Sequence, residues 1–367
     1  MHSHVFSRPL QALIKPCIQA VVLLGLVIAS ASLAHAQGCV PIKQVGSGTS
    51  PLDGEDLNSA TPDKWEYTLS YEHFRSDKDY TGPYYNGSRQ TKGNSIINVV
   101  DQFDSGLSYD FNSQNSVALD IPYFAASRSQ LESGTTTRFR TYGRGIGDVR
   151  LSADRWLVDP ATKPKVNLQL GLALSVPTGT SNQKGWFLTT TGPVLKNLDQ
   201  SIQPGEGGWG YILQGQAYWK LTTATSLYTS GFYMATPQDT NGTRTSTSLT
   251  SETSFNSIYD QYLIRGGVNQ VIRQFQGGNF SGSLGVRWEG VPSLDLIGRS
   301  DGFRRPGYVL SVDPGLAYDL PHDSFSLNVP VPWYRNRTQS YPDSLTGGHG
   351  DAFFADFLIV AAYSHRW

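Results

Sequence analysis

Four groupings in this 367-residue chain carry residue types that could do chemistry. His322-Asp323-Ser324 would give an acyl hydrolase a nucleophile and its base. It falls in a short polar link between two strand-like segments, where a solvated turn explains it. His349-Gly350-Asp351 has the make-up of a proteolytic dyad and lies in a long polar link, without a second acidic pair beside it. Gly205-Glu206-Gly207-Gly208 shares its glycines with phosphate loops, yet no Lys-Ser/Thr follows, and the next element reads as a strand. The fourth grouping is histidine itself. Beyond residue 36 it occurs at 73, 322, 349 and 365, never at ligand spacing with a cysteine or another histidine. No catalytic residue, metal site or cofactor is expected, and the chain does not read as an enzyme.

What remains is charge placed at regular intervals. Glu66, Glu72, Asp104, Asp120, Asp148, Arg150, Arg265, Arg287, Glu289 and Asp313 occupy the polar sides of segments in which apolar and polar residues alternate. Gathered around a narrow bore, with acids outnumbering bases, such side chains would orient small solutes and select them by field and size. These ten are the expected lumen lining. The competing expectation is that they pair across the bore and seal it. The barrel would then act as a surface adhesion or structural scaffold through loops rich in Ser, Thr and Gly, such as Thr240 to Ser257. The longest link, 179–208, is the candidate constriction, through Trp186 and Phe187.

The elements that must hold these charges are strands. At 166–177 the residues Val166, Leu168, Leu170, Leu172, Leu174 and Val176 share one face, opposite Asn167, Gln169, Gly171, Ala173, Ser175 and Pro177. Successive strand side chains point to opposite faces, so each segment presents one apolar and one polar surface. The same template predicts twelve strands, near 64–76, 95–111, 116–130, 146–158, 165–178, 209–222, 225–236, 261–273, 280–292, 307–320, 325–336 and 352–367. In the seventh either face could be the apolar one. The links alternate strictly: short at 112–115, 160–164, 223–224, 274–279 and 321–324, and long and polar at 77–94, 131–145, 179–208, 237–260, 293–306 and 337–351.

An even strand count, with every long link at one end, predicts an all-β fold: a closed, antiparallel, up-and-down transmembrane β-barrel with short periplasmic turns and long extracellular loops. Closure turns the polar faces inward and satisfies every backbone hydrogen bond, as lipid demands. Asp101 and Arg155, the charges expected on the apolar faces, fall near strand ends, where burial in lipid costs least. Pro122, Pro177, Pro330 and Pro332 cannot donate to a ladder and should mark bulges or bends.

The ends of the chain fit export. Arg8 and Lys15, an apolar run from Ile18 to Leu33 and Ala34-His35-Ala36 have the layout of a cleaved signal peptide over 1–36. Residues 37–63 read as a flexible periplasmic lead-in to the barrel at 64–367. Cys39 alone remains after the leader, so no internal disulfide is expected, and Ala36-Gln37-Gly38 is a poor lipidation signal. At the other end Phe357, Ile359, Ala361, Tyr363, His365 and Trp367 alternate up to a terminal aromatic. Tyr363 and Trp367 are thus candidates for the signal read by the barrel-assembly machinery. With 29 Lys+Arg against 30 Asp+Glu there is no electrostatic footprint of a nucleic-acid binder. The expected partners are outer-membrane lipid and lipopolysaccharide, the assembly machinery and a small-molecule solute, in the outer membrane of a Gram-negative cell.

Five stretches together resemble a family of Gram-negative outer-membrane proteins, the phenol-degradation meta-pathway transporters. They are Tyr67-x-x-x-Tyr71 followed by Arg75-Ser76-Asp77, Gly145-Ile146-Gly147-Asp148-Val149-Arg150-Leu151, Pro177-Thr178-Gly179, the run from Asp199 through Pro204-Gly205-Glu206 to Trp209-Gly210, and His349-Gly350-Asp351-Ala352-Phe353-Phe354-Ala355-Asp356. The resemblance spans nearly all of the chain beyond the leader. It implies a transporter-like barrel, linked to aromatic compounds by association; the solute expected is a small molecule, aromatic or an organic acid.

Overall fold

A computed structural model describes residues 64–131, 137–245 and 254–367. The expected leader, the lead-in and Cys39 lie outside the described residues. Among those described, twelve antiparallel strands close into a barrel of the outer-membrane type. They are β1 (Trp65–Thr81), β2 (Ile97–Asn112), β3 (Asn115–Leu131), β4 (Arg138–Ile146 and Val149–Trp156), β5 (Val166–Val176), β6 (Gly210–Lys220), β7 (Thr225–Ala235), β8 (Gln261–Phe275), β9 (Gly278–Val291), β10 (Gly307–Asp319), β11 (Asp323–Asn328 and Val331–Asn336) and β12 (Ala352–Arg366). Each pairs with its neighbour in sequence, and β12 returns to β1 with Glu66 opposite Arg366. Closure ends on the terminal residue: Trp65 N–H donates to the Trp367 carbonyl at 3.2 Å, and Trp367 N–H donates back at 3.0 Å.

Burial alternates along the strands because one face meets the interior. In β1, Thr68, Ser70, Glu72, Phe74 and Ser76 are buried, while Trp65, Leu69 and Arg75 on the other face are exposed. On β5 the outward residues are Val166, Leu168, Leu170 and Leu172, as the alternation predicts. The apolar band is bordered by aromatic rows, the usual mark of the two membrane interfaces. Toward the short-turn end Trp65 meets Tyr109 and Phe325 meets Tyr363. Toward the long loops Tyr233, Tyr262, Trp288, Tyr308 and Tyr334 succeed one another across five strands. Asp101, on the outer face, is bonded by Tyr71 Oη at 2.7 Å and lies 2.8 Å from His73 Nδ1. Arg155 donates to Asn115 at 2.7 Å.

Two expectations need correction, for strand four and for the long links, and one is met, at the prolines of strand eleven. Strand four does not begin near 146: Arg138–Ile146, expected as loop, pairs fully with β3. Between its halves Gly147 and Asp148 insert a bulge, so even-numbered residues face outward above it and odd-numbered ones below. Gly147 N–H donates to the Pro122 carbonyl at 2.8 Å. Strand eleven is likewise broken at Val329–Pro330, and the ladder opposite shifts between Leu310 and Ser311. A proline without an N–H explains both the break and the shift. The long links also hold structure of their own, a ribbon of Lys184–Thr189 with Gly192–Asn197 and a second of Thr240–Arg244 with Phe255–Ser257. The ambiguous strand, β7, turns Ser226, Tyr228, Phe232 and Met234 inward.

Candidate functional site

The interior divides into two levels along the bore. At the level of the apolar band the inward positions are polar. β1 supplies Ser70 and Glu72, and β2, directly opposite in register, supplies Asp104 and Gln102. Gln102 Nε2 donates to Asp104 Oδ2 at 2.9 Å. Asp120 on β3 faces Arg150 on β4 across one ladder step, and Arg265 on β8 faces Arg287 on β9. Arg287 donates to Glu289 Oε2 at 2.7 Å and approaches Glu72 Oε2, on the far side of the barrel closure, at 4.0 Å. Arg265 Nε lies 3.5 Å from Asp313 Oδ2, whose other oxygen accepts from Asn328 at 3.1 Å. A charged crossbar thus runs from β9 to β1 through Arg287.

Two of the ten expected residues stand apart from this belt. Glu66 sits at the short-turn end, where Arg366 Nε donates to it at 2.9 Å. Asp148 sits in the bulge of β4, and its carboxylate accepts from the backbone N–H of Gly179 at 2.9 Å and of Glu206 at 2.8 Å. It ties the two ends of the long link after β5 to the wall. Glu72, Asp104, Asp120, Arg150, Arg287, Glu289 and Asp313 are all buried.

Toward the long loops the interior holds apolar clusters beside buried polar groups such as Asn98 and Arg128, and the even alternation of polar faces does not predict the clusters. Phe74, Val100, Phe124, Ala126, Leu358 and Val360 from the wall pack with Phe187, Leu198 and Ile202 from the long link. Phe139 joins them, its ring 5.6 Å from that of Phe187. A second cluster joins Ile212, Phe232, Met234 and Leu263. The link therefore folds into the mouth of the barrel. Trp186, expected beside Phe187 in the constriction, is 65% exposed. The ribbon is itself a strand pair, so adjacent residues face opposite ways and only one of the two can enter the bore.

An ion cluster fastens this link. Arg305 grips Asp199 with two parallel bonds of 3.0 and 2.9 Å, Arg128 of β3 lies at 3.5 Å, and Ser201 donates its backbone N–H and its hydroxyl at 3.0 and 2.7 Å. Burial alone would raise the Asp199 carboxyl, but the two guanidinium groups outweigh it and hold the carboxyl well below the usual range. Beside it Arg304, fully buried, donates to both oxygens of Asp295. Close approach also needs absent side chains: a Cβ at Gly143 would lie 1.7 Å from the Ile202 carbonyl oxygen. None of Asp199, Arg128 or Arg305 is a sequence-level candidate. The available signal is Asp199-Gln200-Ser201, an acidic residue capping a short turn.

Among the described residues no group of His, Cys, Asp and Glu is placed to hold a metal ion. At the C-terminus Tyr363 donates its hydroxyl to Asp323 at 2.8 Å, and Trp367 stacks on His365.

No protein-family profile and no curated protein matches the chain. Solved structures do. The COG4313 outer membrane channel from Pseudomonas putida F1 aligns over 85% of this chain and 98% of its own, with a TM-score of 0.54 and 12% identity. The β domain of the Bordetella autotransporter BrkA covers 83% of this chain and 100% of its own, with a TM-score of 0.47 and 12% identity. At such identity the likeness is one of fold: this chain is built like an outer-membrane β-barrel.

Proposed function

We propose that the protein is an outer-membrane channel that carries small solutes through the mixed-charge bore, with the link between β5 and β6 narrowing its outer mouth. The observation that carries this reading is the set of buried charged side chains at the level of the apolar band that have atoms without a hydrogen-bond partner. Glu72 Oε2, Asp104 Oδ1, Arg265 Nε, Arg287 Nε and Asp313 Oδ2 are buried and have no hydrogen-bond partner among the described residues. A barrel built only to be sealed would gain by completing the hydrogen bonds of such atoms or replacing them with apolar ones, because a buried polar atom left without a hydrogen bond costs stability. Water and polar solutes in the bore would satisfy them. The Pseudomonas protein of like fold is described as an outer membrane channel, which agrees with this reading.

Acids outnumber bases along the belt, so organic acids, one of the solute classes expected from the sequence, are disfavoured relative to neutral and cationic solutes. Liposome swelling tests the proposal. Vesicles holding the folded barrel should swell in small neutral sugars or amino acids faster than empty ones. Equal rates would count against a channel.

The apolar clusters of the mouth favour a second reading, a sealed barrel that presents its loops as an adhesion scaffold. In that case removing the link would abolish partner binding without altering permeability.

A further inference from the structure

We infer that the bore holds a recognition site for a primary ammonium group, formed by Ser70 and Glu72 of β1 and Asp104 of β2. This inference rests on the channel reading and names its solute class.

The site is set by register. Ser70 and Glu72 are two residues apart and share the inward face, and Asp104 lies directly opposite Ser70 on the neighbouring strand. The three side chains therefore converge on one patch of wall. They are 1%, 3% and 1% exposed. Ser70 Oγ, Glu72 Oε2 and Asp104 Oδ1 each have no hydrogen-bond partner among the described residues. The remaining oxygen of Asp104 is already used by Gln102, which fixes the direction of the free one.

Two carboxyl oxygens and a hydroxyl oxygen turn their acceptor lone pairs toward one patch. An alkylammonium head is the complementary group, for it carries three N–H donors, no acceptor and one positive charge. A metal ion fits poorly, since hard cations such as Ca²⁺ take six to eight oxygens. Arg287, 4.0 Å from Glu72 Oε2, stands on the opposite side of the patch and already donates to Glu289. At that distance it makes no hydrogen bond to the Glu72 oxygen. Phe74, the next inward residue of β1 beyond Glu72, belongs to the apolar cluster. A solute with an apolar body and an ammonium head would find both surfaces in order.

Planar-bilayer recording tests this with the intact mature protein. Under a KCl gradient the reversal potential should show cation preference. n-Butylammonium should reduce the potassium current at concentrations about tenfold lower than tetramethylammonium, which has the charge but no N–H to donate. Glu72→Gln and Ser70→Ala should each narrow that gap. Current with no cation preference, or equal block by the two amines, would overturn the ammonium site and leave the channel standing. No current from folded, heat-modifiable protein would overturn both. The comparison of the two amines needs no variant, so a misfolded substitution does not spoil it.

Discussion

The two levels of the bore are built on opposite principles. In the mouth, Phe74, Phe124, Phe187, Leu198 and Ile202 pack as a protein core, and the charged groups Asp199, Arg128 and Arg305 bond one another in full geometry. At the level of the apolar band the charges are as deeply buried, and several of their atoms have no hydrogen-bond partner among the described residues, as is also true of Asn256, Arg335 and Arg337 nearer the loops. Dense packing of the first kind fixes a shape. The second arrangement leaves bonding capacity unspent, as a surface does that a passing molecule must touch. The difference separates the part that closes the barrel from the part that reads its contents.

Substitutions should affect the two levels differently. The largest effect is expected from Asp199→Ala, which leaves two buried guanidinium groups without their carboxylate, a loss of about 3–5 kcal/mol. Limited proteolysis should then cut within 184–197 in folded barrels, whereas the unaltered protein resists. Phe124→Ala should cost about 3–5 kcal/mol in urea unfolding, through the cavity left in the mouth cluster. Asp148→Ala removes a charged acceptor from two backbone N–H groups, and about 1.5–3 kcal/mol is expected in the same assay. At the small end Ser70→Ala, which deletes a buried hydroxyl without a partner, should change stability by less than about 0.5 kcal/mol. A loss there as large as that of Phe124→Ala would erase the distinction between the levels.

Acid should act on the mouth first. The folded-state value of Asp199 lies below its unfolded value, so its stabilisation is whole above about pH 4 and is lost progressively as pH falls further. Protease resistance of the link should be level from pH 8 to about 5 and decline below about pH 4. Asp199→Asn should flatten that dependence.

Much of this was legible in the sequence, and the limits have physical causes. The period-two pattern of β5 and the strict alternation of link lengths determine strand count, closure and the inward placement of Glu72, Asp104, Arg150 and Arg287. The upper half of β4 was not legible, because above the bulge Arg138, Arg140 and Arg144 point outward beyond the apolar band and remove the greasy face that marks a strand. The apolar mouth was hidden for a related reason. There Phe74 and Phe124 occupy the face that is polar lower down, so alternation alone misassigns them. Trp186 and Phe187 show the same limit: composition points to the link, and only the ribbon geometry says which ring turns inward.

The division between a closing mouth and a solute-reading belt meets its most direct test in single-channel recording after deletion of residues 184–197. Discrete current steps larger than those of the intact barrel are predicted, because the belt beneath stays open once the apolar cap is gone. A deletion variant that folds, shows heat-modifiable migration and passes no more current than the intact protein would contradict it.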